Sequence, residues 1–283
     1  MSELLVLQTD FGRSDGAVSA MYGVALTVDP SLKIFDITHD IPPYNIWEAS
    51  YRLYQTITYW PEGTVFISVV DPGVGTSRRS VVVKTVDHQY IVTPDNGTLT
   101  HIKNDIGIKE ARVIDETCHR LPQSEQSYTF HGRDIFAYTG SRLASGVISY
   151  EEVGPKMDVT DLKELTRPKA YIEDDIIYGN IDILDIRFGN LWTNIHRTLF
   201  EKADIRYGDS LEVTIANHTH QVYKNIMTFG RSFADSRLGE PLLYVNSLDY
   251  LGVGINQGSF SHAYHIQSGV NWKIMIRKIH IMS

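Results

Sequence analysis

Phe66-Ile67-Ser68-Val69-Val70-Asp71-Pro72-Gly73-Val74-Gly75-Thr76-Ser77-Arg78-Arg79 runs from an apolar, β-branched stretch into an aspartate, a turn with two glycines and a pair of arginines. The apolar stretch reads as a buried strand. A carboxylate at its C-terminal end stands in the crevice where open α/β sheets place working groups. Arg78, seven residues on across a Gly-hinged loop, can fold back onto that carboxylate. The same residues also fit a strand, a turn and a solvated arginine, because aspartate is common in turns. Another strand-like run, Val81-Val82-Val83, follows.

Outward from this point, short apolar runs alternate with helical patterns up to about residue 150. Leu4–Leu7, Leu32–Ile37 and Thr64–Val70 read as strands, and Ser80–Val86 with Tyr90–Thr93 as a hairpin pair. Val18, Met21, Tyr22 and Ala25 recur at helical spacing within Ala17–Val28. Trp47, Tyr51, Tyr54 and Ile57 do so within Asn45–Tyr59, and Asp134–Gly146 completes the set. Strands alternating with helices predict an α/β domain with a mainly parallel sheet flanked by helices. Pro94-Asp95-Asn96-Gly97 is a turn signal.

The pattern changes after residue 155. Met157–Ala170 is charged and poor in apolar residues, which makes it the linker candidate. Beyond it come short strands with tight turns: Tyr171–Ile177, Asn180–Ile186, Leu211–Ile215, Gln221–Tyr223, Pro241–Val245, Leu251–Ile255 and Trp272–Ile276. They predict a small antiparallel β domain of barrel-like form. The expected division is an α/β domain over 1–160, a linker over 161–170 and a β domain over 171–283.

Composition narrows the function classes. A net charge of −8 with scattered Lys and Arg weighs against nucleic acid or an anionic membrane as partner. Cys118 is the sole cysteine, so neither an internal disulfide nor a thiolate metal cluster can form. Apolar runs fall short of the ~18 residues a membrane span needs. Residues 1–10 read as a first strand, not an export signal. The expectation is a cytoplasmic protein without a resident metal or cofactor. His218 and His220 are the only histidines at i, i+2 spacing, and they read as an exposed strand face. No glycine-rich dinucleotide loop, Walker loop, His-Glu-x-x-His or Gly-x-Ser-x-Gly is present.

Four loops carry chemistry. Thr9–Gly16 holds Asp10 and Asp15 ahead of a helix. A carboxylate there can accept two hydrogen bonds from a vicinal diol, and Asp15 equally fits a helix cap. Asp71 to Arg78 is the second. In the third, Thr129–Phe136, His131 precedes a glycine that permits close backbone approach. Asp134 fits a cap there, or a partner for Arg133, so this segment also reads as purely architectural. The fourth, Ile183–Asn194, combines Asp185, Phe188, Gly189 and Asn190. Phe188 can present a flat face to a base whose edge Asn190 reads, or the segment is a β-bulge with a core ring.

Together these loops resemble a known family. Thr9-Asp10-Phe11-Gly12, Asp36-Ile37-Thr38-His39, Val69–Thr76, Pro94–Gly97, Phe130–Phe136, Phe188-Gly189-Asn190 and Gly254–Ser259 are similar, in order, to the motifs of the S-adenosylmethionine (SAM) hydroxide adenosyltransferases. These SAM hydrolases are relatives of the fluorinase and chlorinase. The resemblance implies a homotrimer with active sites between neighbouring subunits, and the reaction of SAM with water to give adenosine and L-methionine. It implies a catalytic triad of Asp71, Arg78 and His131, which the halogenating relatives do not retain. It places Asp10 on the ribose diol and Trp47 along the ribose. It sets Phe188 and Asn190 at the adenine, with Asn256 and Gln257 facing it largely through backbone groups. Asp185, Asp15 and Ser247 fall near the methionine amine and carboxylate. The competing expectations are a halide-dependent adenosyltransferase and a non-catalytic SAM or adenosine sensor.

Overall fold

The computed structural model describes residues 3–279. Met1, Ser2 and residues 280–283, which the expected domain limits include, lie outside the described residues. The chain divides into two compact units, Met1–Leu165 and Thr166–Ser283.

The first unit is built on a seven-stranded sheet. Its strands are β1 (Leu4–Thr9), β2 (Lys33–Thr38), β3 (Val65–Val69), β4 (Ser80–Thr85), β5 (Tyr90–Pro94), β6 (Ile108–Val113) and β7 (Lys156–Met157), in the order β2-β1-β3-β5-β4-β6-β7. β2, β1, β3 and β5 run parallel, and β4, β6 and β7 complete the sheet antiparallel. The period-2 rule sorts the strand residues between two helical layers. Leu5, Leu7, Val65, Ile67 and Val69 pack with Met21 and Ala25 of α1 (Ala17–Val28). Val6, Phe66, Val81 and Val83 face Leu53 and Ile57 of α2 (Ile46–Ile57). Both faces are covered, as a parallel sheet requires. Asn45 caps α2 by accepting the Glu48 N–H at 3.0 Å. α3 (Tyr138–Ala144) continues from a wide, π-type stretch over Gly132–Ala137. β6 escaped sequence reading because Lys109, Glu110 and Arg112 break its apolar pattern.

The second unit is a closed barrel, in line with the expected barrel-like form. β9 (Ile176–Asp185), β10 (Asn190–His196), β11 (Ser210–Asn217), β12 (His220–Phe229), β13 (Pro241–Val245), β14 (Tyr250–Ile255) and β15 (Trp272–Lys278) form the ring β9-β10-β14-β13-β12-β11-β15. The β9–β10 and β9–β15 pairings close it, and β8 (Tyr171–Glu173) adds to β9 from outside. All pairings are antiparallel except β12–β13. The expected strand Tyr171–Ile177 is split, since Asp174 and Asp175 both take positive φ (48° and 59°) and turn the chain into a hairpin. His218 likewise sits in a turn (φ 51°), so His218 and His220 flank a hairpin tip instead of sharing a strand face. α4 (Arg197–Lys202) and α5 (Phe260–Tyr264) are short, and Phe200 and Phe260 join the barrel core.

Candidate active site

β1 and β3 are parallel neighbours with Thr9 opposite Val69, so the loops that follow put Asp10 and Asp71 at the same end of the sheet. That is the crevice end of a parallel sheet. Asp10 Oδ2 accepts the backbone N–H of Tyr44 at 2.8 Å. Tyr44 holds φ at 68°, an uncommon conformation for a bulky residue, and is 72% exposed. A buttress lies behind this loop. His39 Nδ1 meets Thr9 Oγ1 at 2.8 Å and its Nε2 meets Asp36 Oδ1 at 2.9 Å, while Gly12 N–H donates to His39 O. Tyr22 donates its hydroxyl to Asp36 at 2.6 Å, and Arg13 pairs with the same carboxylate. Burial pushes the Asp36 carboxyl up, but the bonds from Tyr22 and His39 and the Arg13 charge outweigh it and hold it below the usual carboxylate range. Burial, then the bond to Asp36, pushes the Tyr22 hydroxyl up to about 12.

Asp71, Arg78 and His131 form one contact chain. Arg78 Nε lies 3.0 Å from both Asp71 oxygens and its Nη2 lies 2.6 Å from Oδ2, a two-pronged grip on a carboxylate only 6% exposed. Nη2 also reaches His131 Nδ1 at 2.9 Å, Nη1 donates to Ser80 Oγ at 2.6 Å, and the guanidinium lies over the Phe136 ring. The adjacent arginine does a different job. Arg79 is pinned by Asp95 at 2.6 Å, and Asn96 donates to the Val70 carbonyl just ahead of Asp71. The Pro94–Gly97 turn therefore aims Arg78 inward by fixing its neighbours.

His131 enters on the wide turn before α3. Gly132 permits this, because a Cβ there would stand 2.9 Å from Phe11 Cζ. Burial lowers the imidazole pKa, with the Arg78 charge acting the same way. Asp10, Phe11, Tyr44, Asp71, Phe130 and His131 share one cleft of ≈ 340 Å³ in the first unit.

The second unit holds a pocket of ≈ 880 Å³ whose walls include Asp185, Phe188, Asn190, Ser247, Asn256 and Gln257. The β9–β10 hairpin sets Asp185 opposite Asn190. At its turn Gly189 has φ 69°, and a Cβ there would overlap Ser259 Oγ. Asn190 Nδ2 donates to Asp185 Oδ2 at 3.1 Å, which fixes the amide and leaves its buried Oδ1 without a partner among the described residues. Asn246 Oδ1 accepts the N–H groups of Leu248 and Tyr250, leaving a buried Nδ2 unpaired among the described residues. Phe188 is 67% exposed, and Trp192, Phe233 and Tyr244 add aromatic wall.

A family model of the SAM hydroxide adenosyltransferase N-terminal domain matches residues 5–154, and one of the C-terminal domain matches residues 179–273. The chain belongs to the SAM hydroxide adenosyltransferase family. It is 32% identical to the (R)-S-adenosyl-L-methionine hydrolase of Methanocaldococcus jannaschii over 89% of this chain and 88% of the relative. It is 28% identical to a fluorinase of an Actinoplanes strain, covering 94% and 95% of the two chains. A crystal structure of an uncharacterized conserved protein from Thermotoga maritima superposes with a TM-score of 0.88 at 34% identity, over 96% and 99% of the chains.

Within this adenosyltransferase, three expected residues stand apart from both cavities' walls: Arg78, which lies behind Asp71 and His131 and contacts both, Asp15 and Trp47. Asp15 is exposed and accepts the Ala17 N–H at 2.9 Å in a local turn, but the N-cap of α1 is Gly16, so Asp15 is not the cap. Trp47 packs edge-on against His101, ring centroids 4.7 Å apart. Asp134 is not a cap; it is fully buried and pairs with Arg133 at 2.6 Å. Asn256 Nδ2 is engaged by Ser236 O. Sequence reading missed Ser80, Glu116 and Arg120 around His131, and Trp192, Phe233, Tyr244 and Asn246 in the pocket. Arg120 follows Glu116 at i+4 in a segment without periodicity, so no sequence signal singles it out.

Proposed function

We propose that the chain hydrolyses SAM to adenosine and L-methionine by attack of water, or hydroxide, at C5′. The O–C5′ bond forms as the C5′–S bond breaks, its electron pair stays on sulfur as a neutral thioether, and one proton of the water is released. A sulfonium is already a good leaving group, so no acid on sulfur and no metal or cofactor is needed in this reading. What remains is to hold the water in line, and positioning lowers such a barrier by up to about 7–11 kcal/mol in favourable cases.

The observation that carries the reading is Asp71 and His131, bridged by Arg78, at the wall of a cleft that also holds Asp10. In this proposal Arg78 stabilises hydroxide character, while His131 and Asp71 orient the water and share its proton. Asp10 takes the ribose diol. The unpartnered Asn190 Oδ1 suits an exocyclic amine of adenine, and Phe188 offers the base a flat face. The hydrolase named among the relatives supports water as nucleophile.

The same reading includes a homotrimer with active sites between neighbouring subunits and a cytoplasmic location. No described helix is long and apolar enough to cross a membrane. The exposed Phe188 and Tyr44 rings at the two cavities are surfaces that such an assembly would use.

The experiment is incubation of purified protein with SAM, with and without chloride or fluoride, followed by chromatography. Adenosine and methionine formed without halide are the expected products. Halide-dependent 5′-halo-5′-deoxyadenosine would instead assign the chemistry of the fluorinase relatives, and binding without turnover would leave a sensor. Light scattering at three times the chain mass checks the assembly.

A further inference from the structure

The imidazole of His131 is held between two guanidiniums. Arg78 Nη2 stands 2.9 Å from Nδ1, and Arg120 Nη2 stands 3.2 Å from Nε2. A guanidinium only donates, and a neutral imidazole has one acceptor nitrogen. The shorter contact makes Nδ1 the acceptor. A second proton on the ring would set two N–H groups and a positive charge against both cations at once.

Arg120 is fixed in this place. Its Nη1 donates to Ser127 O at 3.3 Å and Ser124 O at 3.5 Å, its guanidinium lies over the Tyr128 ring, and its Nη2 stands 3.7 Å from Glu116 Oε2. The residues either side are anchored too. His119 is buried, its Nε2–H donating to Glu152 O and its Nδ1 accepting from Arg142, and Leu121 N–H donates to Asp134 O. Glu116 also accepts the Ser80 hydroxyl at 2.7 Å, and Ser80 in turn accepts from Arg78. A ring of contacts thus returns to its start: Arg78, His131, Arg120, Glu116, Ser80.

We propose that Arg120 is a positioning residue: with Glu116 as counter-ion, it closes the far side of His131 and keeps the imidazole neutral. A neutral ring there adds no positive charge beside the sulfonium. The groups facing His131 act in opposite senses. Arg78 and Arg120 disfavour its charged form, as burial does, while Glu116 and Asp71 favour it. Arg133 and Asp134, on its own helix, are paired with each other.

The test uses Arg120→Met, Arg120→Lys and Glu116→Gln in the full-length protein. Two readouts are taken: the pH titration of the His131 ring by NMR on histidine-labelled protein, assigned with His131→Asn, and the acid limb of kcat/KM. Arg120→Met is expected to move both to higher pH, Arg120→Lys to restore them, and Glu116→Gln to move both to lower pH. Opposite shifts from two neighbours distinguish electrostatic positioning from loosened packing. Unchanged titrations, or shifts of one sign in both variants, overturn the proposal. Should Arg120→Met fail to fold, a Glu116→Gln titration without a downward shift overturns it alone. The proposal rests on SAM hydrolysis, but the ring titration needs no turnover. Shifts without adenosine formation would sink the function and keep the positioning; adenosine formation without shifts would do the reverse.

Discussion

Arg78→Met isolates what the buried ion pair does. Arg78 and Asp71 are 5% and 6% exposed, and the guanidinium makes bonds to both Asp71 oxygens, to Ser80 and to His131. Methionine keeps most of the stem and abandons a buried carboxylate. Breaking a buried pair by removing one partner costs about 3–5 kcal/mol. For a unit of this size that lowers the unfolding midpoint by on the order of 10 °C. Removing a donor aimed at developing negative charge lowers kcat by roughly 10²–10³-fold. The Asp71→Leu, Arg78→Met double variant separates the two effects. With both charges gone, stability should return to within about 2 kcal/mol of wild type, because apolar replacement of a buried pair is often close to neutral. Activity should stay lost. Thermal unfolding and adenosine release by chromatography read the two quantities. A double variant as unstable as Arg78→Met would refute the claim that the stranded carboxylate is what destabilises. Wild-type kcat in either variant would refute the role given to Arg78.

Gly132→Ala should destabilise by about 1–3 kcal/mol and lower activity, as its Cβ forces Phe11 or the His131 turn to move; denaturant unfolding checks it. Asn190→Leu should weaken adenosine and SAM binding about tenfold, with kcat little changed, as expected for loss of one hydrogen-bond acceptor. Calorimetry with adenosine measures this, and an unchanged Kd would remove Asn190 from the adenine site. Asp36→Asn addresses pH. The Asp36 carboxyl is held below its ordinary 3.8, so its stabilisation is present above that pH and lost as pH falls through the lower folded value. The variant should be less stable than wild type near neutrality, with the gap closing below about pH 4 as the wild-type Asp36 carboxyl is protonated while the amide does not titrate; acid unfolding curves for the two proteins test the sign.

What the sequence disclosed follows from how local each signal is. The alternation of strands and helices up to residue 150 is legible because Leu5-Val6-Leu7 and Val65-Phe66-Ile67 are apolar on both faces, as a covered parallel sheet requires. β6 and β10 hide for opposite reasons. The first carries Lys109, Glu110 and Arg112 within six residues, and the second begins inside the loop Phe188-Gly189-Asn190, where turn chemistry dominates. Barrel closure through β9 pairing with both β10 and β15 is a long-range event that no window of sequence contains. Among site residues, Asp10 and Asp71 are legible because they end apolar strands. Arg120 reaches His131 only through the docking of His119 and Leu121 on the helix behind, so its role depends on tertiary structure alone.

The charge arrangement around His131 suits a cationic substrate. Asp71 and Glu116 balance Arg78 and Arg120, so the four groups sum to zero. A sulfonium approaching the cleft therefore meets no net repulsion at long range. At contact distance the order of the charges matters more than their sum. The guanidinium nitrogens lie 2.9 and 3.2 Å from the imidazole, each paired with a carboxylate, and Asp71 itself lines the cleft beside His131. A nucleophile gaining negative character beside His131 has two guanidiniums just beyond the imidazole, in a site where their field is little screened. Swapping the positions of acid and base while keeping the sum at zero would leave the long-range field unchanged and turn the stabilisation of hydroxide into repulsion. That asymmetry is why loss of one arginine should be felt in kcat, and loss of Asn190 in binding.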